Sequence, residues 1–186
     1  MGPGSVCGGH APCVALDRRS VPADPGVELI GCGTIVKHMM EDGVQMQKLT
    51  KETEAILSER FGRDSIIALA TSVDNIPYVR EVDAFYEDGA FYVLPHGLSG
   101  KMKQIERNPT VALAGDWFTA QGTGVNLGYF GKEENAHIAG KMRQVFSEWI
   151  DNGHNDFEDP NTCILCIRLI HGILFSNGTR YEIDFT

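Results

Sequence analysis

The chain has no apolar run approaching the roughly 20 residues that cross a bilayer. Its N-terminus lacks the basic-then-apolar order of a secretory signal. Positive charge is also scarce. Sixteen Lys and Arg stand against 25 Asp and Glu, giving a formal net charge of −9 and a pI near 5.1. A nucleic-acid-binding face needs the opposite balance, because it must displace counterions from phosphate. Neither membrane nor nucleic acid is therefore expected as a partner. Cysteine is sparse and odd in number, five in all, which fits a cytoplasmic protein with reduced thiols. Cys7, His10, Cys13 and Cys32 lack the close pairing of structural zinc sites. Regular βαβ alternation is missing, which excludes a dinucleotide-binding doubly wound sheet. There is no internal repeat.

What is present is a chain of 186 residues, 42% hydrophobic and 22% charged. That length and balance predict one globular domain. The first stretch holds Pro3, Pro12, Pro22 and Pro25 without hydrophobic periodicity. It is expected to be a mobile tail over residues 1–45, with the folded domain over 46–186. Thr50 to Gly62 reads as a capped helix. Strands are expected over Ser65–Val73, Pro77–Tyr86, Ala90–Leu94, Thr110–Trp117, Thr119–Leu127, Thr162–Ile170, Ile173–Phe175 and Arg180–Phe185. Asp74-Asn75, Asp88-Gly89 and Asn177-Gly178 supply turn chemistry between them. Ser99–Arg107 reads as a short helix and Lys132–Asp151 as a longer one. The sum is a mainly β (α+β) fold, an antiparallel barrel with outer helices.

One segment carries chemistry. Alternation along a strand places Tyr78, Arg80, Val82, Ala84 and Tyr86 on one face. A guanidinium on an inward or interfacial face requires an anion. Ser99 is placed to cap the following helix, whose free N–H groups favour an anion. Gly97 and Gly100 allow close backbone approach. Lys101 puts a cation in a first turn where a structural helix prefers an acid. This combination points to a bound phosphate. The competing reading pairs Arg80 with a carboxylate and leaves Lys101 solvated. Cys163 and Cys166 have nominal CxxC spacing but lie in a strand, where inert burial is expected. Gly122-Thr-Gly124 reads as a bulge or a close approach rather than a nucleotide loop.

The strand Asn75-Ile-Pro77-Tyr-Val-Arg80-Glu-Val, the helix opening Ser99-Gly-Lys101 and its close at Arg107-Asn108-Pro109 together resemble a known family. It is the FMN-binding split β-barrel family related to pyridoxamine 5′-phosphate oxidase. His96-Gly-Leu-Ser-Gly-Lys101 resembles its nitroimidazole-resistance-like branch. The resemblance implies a split barrel and a homodimer with FMN at the subunit interface. It implies a flavin-dependent oxidoreductase acting on a small molecule. The alternatives are a non-catalytic flavin-binding module, a barrel holding haem or a deazaflavin, and a plain dimeric scaffold. By the same resemblance Arg80, Lys101 and Ser99 hold the FMN phosphate, and Glu81, Val82 and Asp83 run along the isoalloxazine edge. Leu94, Pro95 and His96 border the flavin, and Trp117 or Gln121 of the second subunit completes the site. His96 is the candidate proton donor. Two departures stand out. Gly100 replaces the family's usual Arg before the Lys. The C-terminus, with only Arg180, lacks the basic and aromatic set used for pyridoxamine phosphate.

Overall fold

The computed structural model describes residues 46–186. The expected tail and its Cys7, His10, Cys13 and Cys32 lie outside the described residues. In chain order the elements are β1 (Gln47–Lys48), α1 (Lys51–Phe61), β2 (Ser65–Val73), β3 (Ile76–Glu87) and β4 (Ala90–Val93). There follow α2 (Gly100–Arg107), β5 (Thr110–Gly115), β6 (Phe118–Tyr129), a 3₁₀ turn over Glu133–Asn135, α3 (Ala136–Val145), β7 (Cys163–Ser176) and β8 (Thr179–Asp184).

Local chemistry sets several of these boundaries. The Thr50 hydroxyl accepts from the Thr53 N–H at 3.2 Å and the Thr53 hydroxyl accepts from the Thr50 N–H at 3.0 Å, a reciprocal cap on α1. Asp74 and Asn75, Asp88 and Gly89, and Asn177 and Gly178 all take positive φ. Such residue pairs match the right-handed strand twist in two-residue hairpins. They join β2 to β3, β3 to β4 and β7 to β8.

The strands run β7-β4-β3-β2-β5-β6, and β6 pairs back onto β7 to close a six-stranded antiparallel barrel. β8 extends the sheet beside β7, and β1 pairs parallel to β8. Inward-facing Leu69, Phe91, Phe118, Leu165 and Ile167 fill the barrel, with Phe61 of α1 closing one end. Outside the wall, α3 and the turns after it bury Met142, Phe146 and Ile150 against Phe85 and Ile164. β7 is thus buried on both faces along its first half, which explains its continuous apolar run.

Two expectations are corrected. Thr162–Ile170 and Ile173–Phe175 are one strand, β7. Gly172 does not break it. A Cβ there would lie 2.8 Å from the Phe118 ring, so glycine admits an aromatic side chain instead. The expected helix over Lys132–Asp151 is regular only over Ala136–Val145. Phe146 and Ile150 still enter the core from the turns that follow, so their spacing reflects burial rather than unbroken helix bonding. Both Cys163 and Cys166 are buried free thiols, and burial pushes each thiol's pKa up. None of the described helices is long and apolar enough to cross a membrane.

Candidate functional site

Helix α2 lies across β2 and β6 at one end of the barrel. Arg80 of β3 stands directly opposite Leu69 of β2, so its side chain shares the inward face with the core residues. There it passes beneath α2. One guanidinium nitrogen, Nη1, donates to the Leu69 carbonyl at 3.1 Å and to the Thr71 hydroxyl at 2.8 Å. The other, Nη2, donates to Gln104 Oε1 at 2.8 Å. The Thr71 hydroxyl donates in turn to the same Gln104 oxygen at 2.6 Å. Every acceptor around Arg80 is neutral. The carboxylate partner of the competing reading is absent among the described residues.

Lys101 opens α2 three residues before Gln104 and faces the same cluster. Burial and the Arg80 charge, in that order, depress its pKa, while the Cys163 thiol acts weakly the other way. Burial also lowers the Arg80 pKa. Neither cation takes part in an ion pair among the described residues. Ser99 is the N-cap residue, yet its side chain makes no capping bond. Its Oγ is buried without a hydrogen-bond partner. A Cβ at Gly100 would meet nothing within 4 Å, so the helix tip is open. Two half-buried cations, a buried hydroxyl in want of a partner and an open helix tip all ask for one thing, an anion.

The remaining expected residues divide by face. Glu81 and Asp83 are exposed on the outer face and Val82 is buried on the inner one, so the three cannot offer side chains to one surface. What they share is a backbone edge. β4 pairs only with Ala84–Glu87, leaving Ile76–Asp83 unpaired on that side among the described strands. Pro95 lies buried between β4 and α2, and its carbonyl accepts from the Cys163 N–H at 3.1 Å. Leu94 packs into the outer cluster. His96 Nδ1 accepts from the Leu98 N–H at 3.3 Å and Nε2 lies 3.1 Å from Asp159. Both ring nitrogens are thereby engaged in holding the loop that leads into α2. Asp159 is kept below the usual carboxylate range by hydrogen bonds from Asn161, reinforced by His96.

Trp117 and Gln121 are not brought to Arg80 within one chain. Trp117 is 72% exposed at the β5–β6 turn, at a φ of 51°. Gln121 points outward into a groove of about 440 Å³ over the sheet, with Ala68, Ala70, Ala112, Ala114 and His171. The His171 Nε2 there is buried without a partner. A second cavity, about 510 Å³, flanks α2 beside Leu98, Met102, Gly124 and Cys163. The sequence reading missed Thr71 and Gln104. Thr71 had a signal, a polar residue in register with inward Ile67 and Leu69. Gln104 had one in its spacing from Lys101.

No family model matches the chain, and no curated protein matches its sequence. Solved structures match its fold. They include a Listeria innocua protein provisionally assigned as a pyridoxamine 5′-phosphate oxidase, 14% identical, TM-score 0.50, covering 67% of this chain and 94% of that one. An FAD-binding protein from Mesorhizobium loti is 16% identical, TM-score 0.51, covering 68% and 94%. A heme binding protein from Mycobacterium smegmatis is 12% identical, TM-score 0.52, covering 73% and 60%. At such identities the likeness shows the fold: this chain has the barrel of pyridoxamine 5′-phosphate oxidase-like proteins.

Proposed function

We propose that this protein is an FMN-dependent oxidoreductase acting on a small molecule, and that it works as a homodimer with the flavin at the subunit interface. The observation that carries the reading is the uncompensated Arg80–Lys101 pair beside the unpartnered Ser99 Oγ. Those three groups and the first N–H groups of α2 suit a phosphate monoester, with Arg80 and Lys101 supplying charge and Ser99 a hydroxyl donor. FMN, when bound, supplies hydride and single-electron chemistry. The chain supplies position and electrostatics. The unpaired β3 edge over Ile76–Asp83 offers backbone donors and acceptors to a polar ring edge. His96 holds the loop before α2 through both ring nitrogens and, with its side chain 50% exposed, is kept as the candidate proton donor. The outer groove with Gln121 and His171 is the face that meets the second subunit.

The absorption spectrum of the purified protein, with mass spectrometry of what denaturation releases, tests the cofactor. Flavin bands and released FMN are expected. A Soret band with no flavin would replace this reading with the haem alternative, for which the mycobacterial neighbour is the precedent. Reduction of the bound flavin by NADH or NADPH, then reoxidation by an added acceptor, separates an enzyme from a flavin-binding module.

A further inference from the structure

We infer that Gln104 is the positioning residue that makes this site specific for a doubly charged phosphate monoester, because it orients Arg80 without neutralising it. The inference rests on the phosphate-binding reading above. The geometry is unusually determinate. Arginine only donates, so Arg80 fixes the oxygen end of the Gln104 amide toward itself at 2.8 Å. The Thr71 hydroxyl accepts from Arg80 at 2.8 Å, which directs its own proton to the same Gln104 oxygen at 2.6 Å. Thr71 is only 2% exposed, so its hydroxyl is shielded from water, while Arg80 and Gln104 are partly buried. With the Leu69 carbonyl, Arg80 is held from β2 and α2 at once.

The identity of the residue is the telling point. Glutamate has the same shape and reach as glutamine. The bond from the Arg80 guanidinium is already charge-assisted on the donor side, and a glutamate here would turn it into an ion pair, adding the attraction of an opposite charge at the same distance. It would also stand three residues after Lys101 on the same helix face. For the stability of the empty protein alone, glutamate is the better choice. The amide keeps the full charge of both cations available to a ligand. A dianionic monoester answers that charge. A neutral ribityl alcohol or a singly charged diester does not.

The test uses the full chain as wild type, Gln104→Glu and Gln104→Met. FMN and riboflavin affinities are measured by titration, and thermal unfolding is followed with and without inorganic phosphate. Gln104→Glu is expected to unfold at a higher temperature than wild type when no ligand is present, so a folding defect does not confuse the result. Its FMN affinity should fall roughly 100-fold, the effect of one opposing charge at close range in a half-buried site. Its riboflavin affinity should stay within about twofold, since no charge meets that ligand. Inorganic phosphate should stabilise wild type and not the variant. Gln104→Met keeps the site's charge but frees Arg80, and should lose about tenfold in FMN affinity. An FMN-to-riboflavin ratio in Gln104→Glu equal to that of wild type would overturn the inference and leave the flavin reading standing. A wild type stabilised by phosphate but indifferent to both flavins would overturn the FMN reading; Gln104 keeps its role if Gln104→Glu abolishes that phosphate effect. A wild type that responds to neither overturns both.

Discussion

At Lys101 stability and binding pull in opposite directions. Its ammonium is half-buried beside Arg80, and both burial and that neighbour lower its pKa from 10.5. Between the lowered folded value and 10.5 the unfolded chain binds more protons than the folded one. Stability of the ligand-free protein therefore rises with pH across that window. An arriving dianion reverses the balance, because it favours the charged lysine and draws a proton onto it. FMN affinity is thus expected to fall as pH rises through the ligand-free Lys101 value. The phosphate itself is already doubly charged well below that range, since its second pKa is about 6. Lys101→Met should flatten this alkaline limb and weaken FMN by about tenfold or more. Riboflavin should be nearly unaffected, and the empty protein should become more stable. FMN and riboflavin titrations between about pH 7 and pH 10, with unfolding curves for both proteins, decide it. An equal loss for both flavins would remove Lys101 from the phosphate.

At the scale of elements, α2 matters because it carries Ser99, Lys101 and Gln104 as one rigid unit. Its seat is Gly124 of β6, where a Cβ would lie 2.9 Å from Ile105 Cγ2. That atom is a branch close to the helix backbone and has little freedom to move. The Gly124 N–H also donates to the Pro109 carbonyl just beyond the helix at 2.8 Å. Gly124→Ala is expected to destabilise by about 1–3 kcal/mol through overpacking. It should weaken FMN more than riboflavin as well, because the clash displaces the helix that carries Lys101 and Gln104. Adding Ile105→Leu moves the branch away from the clash and should restore part of both losses. Chemical denaturation and the same titrations measure this. How much could be read beforehand follows the same scale. The hairpins at Asp74-Asn75, Asp88-Gly89 and Asn177-Gly178 and the Thr50 cap were readable because each is set by residues adjacent in sequence. Arg80 and Lys101 stood out because each breaks a local preference, and Ser99 because it sits at an N-cap position. Thr71 and Gln104 did not, because their meaning comes from a contact among β2, β3 and α2. The pairing of β6 with β7 and the parallel β1–β8 contact were hidden likewise, since no local signal reports a partner so far away along the chain.

The whole molecule shows an asymmetry that its net charge conceals. With a formal charge of −9, most of the surface should repel a second copy. One groove on the outer sheet face is the exception, although Glu81 stands opposite Ala68 at its rim. Ala68, Ala70, Ala112 and Ala114 line the groove without a single charge. Exposed Ile66, Val79, Trp117 and Phe175 are set on the same strands and turns. Small residues beside large exposed ones give a self-complementary surface the raised and recessed parts it needs, and a two-fold interface uses one patch on both partners. If the dimer forms there, Gln121 and His171, which a single chain leaves facing solvent-side space, become interface residues. Ala112→Glu is the decisive substitution. Ala112 points outward between Ala70 and Gln121, so the barrel interior does not feel the change. In a dimer two new carboxylates meet in a desolvated groove, a penalty of several kcal/mol per ion. Sedimentation should show wild type as a dimer and Ala112→Glu as a folded monomer with an unchanged far-ultraviolet circular dichroism spectrum. Flavin retention should fall with it, because a ring held between subunits loses one wall. A variant that stays dimeric would place the interface elsewhere. A monomer that keeps its flavin at full affinity would confine the cofactor site to one chain.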